Sequence, residues 1–173
     1  MSDGISNSGE KSEVLYRRVT GATRPSEQSL GDAMHIIDGT SHYVEVKKAN
    51  TPTVNQVRPV KFCPVVVHRP VLGDVWYVFS PIEIVDMALD KCRGQHTEDP
   101  LECFNFNFTH AVLETFEKSK CSSKDLLAKV EKAIHTSNSP HARRLKGLLD
   151  SHLTKVRQNV SDTKEEIREL LHA

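Results

Sequence analysis

The stretch Leu30-Gly31-Asp32-Ala33-Met34-His35-Ile36-Ile37-Asp38-Gly39-Thr40-Ser41-His42-Tyr43-Val44-Glu45-Val46-Lys47-Lys48 reads as a β-hairpin. A short apolar run meets an Asp-Gly turn at Asp38-Gly39, and a second strand returns. Asp32 opens the first strand. Glu45 and Lys47 stand two apart on the second, so both point to one face of the sheet. Closing the hairpin brings Asp32 within reach of Glu45, with a lysine beside them. Two carboxylates and an ammonium gathered at one point repel and lose hydration unless something uses them.

The user that fits is a divalent cation bound to a phosphate. Mg²⁺ takes oxygen ligands, held by one or two carboxylates with water and substrate phosphate completing its shell. Asp32 and Glu45 supply the carboxylates, the Val46 carbonyl a third oxygen, and Lys47 a cation for charge developing on phosphorus. Asp38 is a rival first carboxylate, but it lies in the turn, where Asp-Gly has a conformational reason to be.

Asp32 followed by Glu45-Val46-Lys47 across a hairpin resembles the Asp…Glu-x-Lys core of the PD-(D/E)XK nuclease superfamily, which includes restriction endonucleases, junction resolvases and some homing and repair nucleases. The resemblance spans residues 10 to 110 and lies in the order of elements as well as in the motif. Gln56 matches the glutamine that many members carry just past Glu-x-Lys. Gly31 stands where the classical pattern has proline. The resemblance implies an α/β fold, a mixed central β-sheet flanked by helices (restriction endonuclease-like), followed by a C-terminal helical extension. It implies a Mg²⁺-dependent DNA endonuclease, with Mn²⁺ as a substitute, leaving 5′-phosphate and 3′-hydroxyl ends. Asp32, Glu45 and Val46 would hold the metal, Lys47 would serve the water or the transition state, and Gln56 would orient the site. A sequence-specific, restriction-type enzyme is the favoured subtype; structure-specific, homing and repair nucleases share the fold. A module that binds nucleic acid without turnover is the reading from another class.

Charge adds to this locally. Lys plus Arg and Asp plus Glu both total 23. The balance gives no global attraction to nucleic acid. Between His42 and Arg69, however, Lys47, Lys48, Arg58, Lys61 and Arg69 face Glu45 alone, and Arg143, Arg144, Lys146, Lys155 and Arg157 face Asp150 in a second basic segment. Neutralising phosphates depends on cations at the contact, so Lys48, Arg58, Lys61, Arg143, Arg144 and Lys146 are the candidate DNA contacts; a basic helix such as 141–157 is otherwise a solvated face.

Cys63, Cys92, Cys103 and Cys121 are isolated, without a Cys-x-x-Cys pair, which argues against structural zinc and for a reduced intracellular setting, cytoplasmic, nucleoid or nuclear. No apolar run approaches the ~20 residues of a membrane helix. Met1 to Lys11 is Ser/Gly-rich and reads as a disordered leader. A hydrolase using a cysteine or histidine is a third reading, although no nucleophile sits in a recognisable signature.

Along the chain, helices are expected over Glu10–Val19, from Thr51-Pro52 to Pro59, and from Ile82 to about Arg93 with Gly94 as its stop. Pro64–His68 and Val75–Phe79 read as strands in the middle of a sheet, and Phe104–Phe108 as an outer strand. The core is thus placed at 11–110, with a helical extension over 111–173: Ala111–Lys120, Ser123–Ile134 and Ser139 to about Leu171. Leu145, Leu148, Leu149, Leu153, Val156 and Val160 form a stripe for packing on the core or for a homodimer. In the polar loop Gly94–Glu102, His96, Glu98 and Glu102 suit either a second metal or general-acid cluster, or capping and contacts to base edges. Glu27 is either an accessory acid or an exposed turn residue.

Overall fold

The structure, a computed structural model, describes residues 8–109, 116–155 and 160–173. It is a mixed α/β fold on a mixed five-stranded sheet. Helix α1 (Ser8–Thr20) leads into the hairpin β1 (Ala33–Ile37) and β2 (Thr40–Lys48). Asp38 and Gly39 both take positive φ, 51° and 76°, as a two-residue hairpin turn matched to strand twist requires. Strand β3 (Thr53–Val57) then leaves the sheet, and β4 (Val65–His68) returns parallel to β2, with Glu45 opposite Val65 and Lys47 opposite Val67. β5 (Trp76–Phe79) lies antiparallel to β4, and β7 (Lys120–Cys121) closes the far edge, giving the order β1-β2-β4-β5-β7. β6 (Phe104–Asn107) pairs with β3 in a separate two-stranded sheet. The other helices are α2 (Pro81–Leu89), α3 (Ser123–Ser137), α4 (Pro140–Lys155) and α5 (Val160–Leu171).

Strands β4 and β5 are buried on both faces, as their unbroken apolar runs anticipate. One set of side chains, Val44, Val46, Val66, Trp76 and Val78, packs on Tyr16 of α1 and on Leu126 and Val130 of α3. The alternate set, Val65, Val67, Tyr77 and Phe79, packs on α2, on the Phe104–Phe106 strand, and on Leu145, Leu149 and Ile167 of α4 and α5. The C-terminal helices therefore build the core itself.

Five expectations about elements are corrected. The segment 51–59 holds strand β3 in place of a helix, because a helix there would be too short to nucleate, whereas Val54 and Val57 bury themselves opposite Phe106 and Phe104. Helix α2 stops at Leu89, where its apolar stripe of Ile84, Val85, Ala88 and Leu89 ends; Ser80 and Glu83 cap its start reciprocally. Gly94 lies beyond it, inside the following loop. Phe104–Asn107 is not an edge of the main sheet. The segment from Ser139 is two helices, α4 and α5; of its stripe, Leu153 is 40% exposed and His152 takes the buried place beside Leu145 and Leu149. The expected helix 111–120 falls largely outside the described residues, and its end is instead a 3₁₀ turn at Glu117–Ser119 followed by β7. Val156 and residues 1–7 also lie outside them, while the rest of the expected leader, from Ser8, belongs to helix α1.

Helix α1 is fixed to the sheet by a buried polar network. Tyr16 Oη and His35 Nε2 are 2.7 Å apart, and Ser12 Oγ and His68 Nδ1 2.9 Å, with the His68 ring stacked on Trp76. Burial holds both histidines below their ordinary value of 6.5. Their stabilising effect is present above that value and is lost as pH falls through the depressed one. Urea titrations should therefore show stability declining below about pH 6. Tyr16→Phe, which leaves His35 Nε2 without its partner, should cost about 1–2 kcal/mol at neutral pH in the same titration.

Candidate active site

Three backbone and side-chain contacts lock Asp32 in place. Its N–H donates to the Val44 carbonyl (3.0 Å), its own carbonyl accepts from Arg17 Nη1 of α1 (2.8 Å), and its Oδ2 accepts the Val46 N–H (2.8 Å). The turn into it depends on Gly31, at φ 155°, where a Cβ would stand 3.2 Å from Tyr43 Cβ and from the Val44 carbonyl. Proline, fixed near φ −65°, cannot adopt that conformation.

Strand alternation places the other groups. Glu45 and Ala49 donate their N–H groups to Pro64 and His68 on the β4 side, so the odd-numbered residues of β2 bond toward β4. The N–H and C=O of Val46 point the opposite way, to the Asp32 side. Because β1 ends opposite Val44, Val46 meets the Asp32 carboxylate there rather than another strand. The side chains of Glu45 and Lys47 share the face opposite to buried Val44 and Val46.

Glu45 is the centre of the charge cluster. Lys47 Nζ lies 3.3 Å from its Oε1 and Lys61 Nζ 3.3 Å from its Oε2, with side-chain exposures of 13% for Glu45, 21% for Lys47 and 26% for Lys61. Asp32 feels the same cluster. Burial, and then the charge of Glu45, raise its carboxyl above its ordinary value of 3.8, against the pull of the Val46 N–H, Lys47 and Lys61. Asp32 Oδ1 has no hydrogen-bond partner among the described residues. The donor set is thus two neighbouring carboxylates and a carbonyl aimed to the same side, all oxygen, which fits Mg²⁺ or Mn²⁺ better than a softer metal. Among the described residues no group of three or more His, Cys, Asp and Glu side chains is placed to hold a metal. Any cation here would depend on the carbonyl and on bound water or phosphate for its remaining ligands.

The remaining sequence candidates divide. Lys61 joins the centre, carried there by the 3₁₀ turn Pro59–Lys61 and the left-handed Phe62 that follows. Arg143 and Lys146 line a cavity of about 400 Å³ together with Lys61, His42 and Cys63, so the second basic segment comes up beside the first. Arg144 turns away toward Glu166 and Glu169. Lys48 lies on the other sheet face, where its charge adds to burial in lowering His68. Gln56 sits in a bulge of β3 with φ 53°, its N–H donating to Gln95 Oε1 (2.7 Å); with Arg58 it lines a neighbouring cavity. Asp38 is at the opposite end of β1 from Asp32, ~20 Å away along the strand. Glu27 is an exposed residue ahead of a 3₁₀ turn.

The polar loop does not form a second metal cluster. Glu98 reaches Arg93 (3.6 Å) and Glu102 accepts from Thr97 Oγ1 (2.8 Å), so each acid has a partner within the protein. Cys63, not marked by any sequence pattern, lies close to Glu45; burial, and then the Glu45 charge, push its thiol up to about 12. Burial pushes Cys121 to about 11. Neither is a thiolate nucleophile near neutral pH.

Comparison of the chain with models of known protein families, with characterised proteins and with solved structures finds no match. No helix among the described residues is long and apolar enough to cross a membrane.

The raised Asp32 value has a thermodynamic consequence. A carboxylate more easily protonated in the folded state stabilises the fold at low pH and loses that effect as pH rises through its folded value. In EDTA at neutral pH, Asp32→Asn, which keeps an acceptor for the Val46 N–H, should melt at or above the wild-type temperature. The gap should narrow as pH falls toward 3.8, where wild-type Asp32 is also protonated. Thermal melts of both proteins across pH provide the check.

Proposed function

We propose that this chain is a Mg²⁺-dependent DNA endonuclease with a restriction endonuclease-like core, acting at Asp32, Glu45 and Lys47. The observation that carries the reading is the Asp32 carboxylate, raised by burial and by Glu45, folded against the Val46 backbone within a cluster that also holds two lysines. Such crowding of like charge in a partly desolvated place is unfavourable for folding and suits a cation. Asp32, Glu45 and the Val46 carbonyl would hold the metal, which when bound would polarise a phosphoryl oxygen and lower the pKa of an attacking water.

The chain's own groups then divide the work. Lys47 and Lys61, both in contact with Glu45, offer ammonium charge where negative charge accumulates on the phosphoryl oxygens. Arg143 and Lys146, across the 400 Å³ cavity from Lys61, hold flanking phosphates. The Arg17 and Val44 contacts fix the Asp32 backbone so that its carboxylate does not drift. Water attacks phosphorus, the P–O3′ bond breaks, and the water's proton ends on the 3′ oxygen, leaving 5′-phosphate and 3′-hydroxyl ends. Restriction-type cutting is the favoured subtype, with structure-specific and repair cutting as its neighbours.

One observation favours a second reading. Each carboxylate oxygen of Glu45 has a lysine, so the cluster is also a closed ion triad that could serve a DNA-binding module without turnover. Incubation with supercoiled and linear DNA, in Mg²⁺ and in EDTA, separates the two. Cleavage is expected in Mg²⁺ alone, and Glu45→Gln and Lys47→Ala should each lower it by at least ~10²-fold with thermal melts still cooperative. Near wild-type cleavage by both variants removes these residues from catalysis. No cleavage of duplex, junction or single-stranded DNA by the wild type leaves the binding module.

A further inference from the structure

Two cavities meet at Lys61, and their walls differ in chemistry. The first, described above, offers Lys61, His42, Arg143 and Lys146 and, among the described residues, no carboxylate on its walls. The second, of about 580 Å³, lies between the β3 bulge and the loop after α2, and its polar walls include Gln56, Arg58, Lys61, Gln95, His96, Thr97 and Glu102. Lys61 stands at the boundary between the two cavities, its ammonium 3.3 Å from Glu45 on the side of the charge cluster. That leaves one cation, Arg58, against one anion, Glu102. A phosphate gains little from such a balance, whereas amides, an imidazole and a guanidinium are the groups that match base edges.

The backbone of this second cavity is strained on both sides. Gln56 holds φ 53° and His96 holds φ 62°, a conformation that side-chain-bearing residues avoid and glycine takes freely. Both are exposed, and neither side chain has a polar partner among the described residues. The two strained positions are tied to each other: Gln95 Oε1 accepts the Gln56 N–H (2.7 Å), and Gln95 Nε2 donates to Asn55 Oδ1 (3.1 Å). The loop is held from its far side by a buried pair, the His152 Nε2–H donating to Asp99 Oδ2 (2.5 Å), while Asp99 Oδ1 accepts the Leu101 N–H (3.0 Å). Gly94 closes the loop from within, since a Cβ there would lie 2.7 Å from the Asp99 and Cys103 carbonyls. The Asp99–His152 anchor also seats Leu101 in the core, whereas the two positive-φ residues, Gln56 and His96, are exposed. Strain of this kind collects where a side chain must be aimed.

We infer that this second cavity reads a nucleobase of the DNA strand whose phosphate lies at Asp32 and Glu45, through the side chains of Gln56 and His96, while the first cavity tracks the backbone. Gln95, Asp99 and His152 are positioning residues that hold the reading pair in place. The assignment rests on the proposed DNA-cleaving function and supplies its specificity element. Lys61, at the boundary, sets the spacing between the base read and the bond cut.

The test is selection of a randomised DNA duplex library in EDTA, with the bound pools sequenced, for the wild type, His96→Gly and Gln56→Gly. Glycine relieves the positive φ, so both variants should melt no lower than the wild type. The wild type should enrich a motif, and each variant should lose roughly 5- to 150-fold of discrimination at one or two adjoining positions, with an unchanged salt dependence of binding. An identical motif in all three proteins overturns the assignment, as does a wild type that binds but enriches nothing. Cleavage of plasmid in Mg²⁺ is scored alongside. Cleavage without a motif leaves the nuclease standing and removes the base-reading cavity. A motif lost in the variants without cleavage does the reverse, and absence of DNA binding removes both.

Discussion

Burial of Val44 and Val46 under α1 and α3 is the constraint on which the rest of the molecule depends. β2 sits between β1 and β4, so its register is pinned from both sides. A slip of one residue would drive Glu45 and Lys47 into an apolar layer and expose two valines. Because the alternation of a strand is strict, the same packing that hides the valines presents the acid and the lysine together on the opposite face. The charge cluster is therefore aimed by the core, and the fold cannot relax it without giving up hydrophobic burial.

That arrangement concentrates electrostatic stress where chemistry would need it. Asp32 is partly desolvated beside another carboxylate, and the Val46 N–H and two lysines only partly offset this. Three buried or partly buried pairs are complete, His35 with Tyr16, His68 with Ser12 and Asp99 with His152, while Arg69 Nε is buried without a hydrogen-bond partner among the described residues. Among the described residues Asp32 Oδ1 has no hydrogen-bond partner, while its Oδ2 accepts the Val46 N–H.

The C-terminal helices connect core and periphery. Leu145 and Leu149 of α4 complete the layer over β4 and β5, His152 from the next turn grips the 94–103 loop, and Arg143 and Lys146 face the cavity beside Lys61. One helix thus packs the core, steadies a polar loop and supplies cations, from residues spaced on different faces of its surface.

By itself the sequence determined the hairpin, because Asp38-Gly39 and the period-2 pattern are local instructions, and with it that Asp32 feels the charges of Glu45 and Lys47. The buried strands Val65–His68 and Trp76–Phe79, the start of α2 at Ser80-Pro81 and the helix from Ser123 were legible for the same reason: each is fixed by neighbours in the chain. The nature of residues 51–59 was not, since Val54 and Val57 become a strand only when Phe106 and Phe104, some fifty residues later, lie opposite them. Nor could sequence bring Lys61 to Glu45, separate Lys48 and Arg144 from the centre, or join Asp99 to His152. Those relations depend on a parallel crossover and on helix docking between distant segments. Their energy comes from contacts that exist only once the tertiary structure has formed, so only that structure decided them.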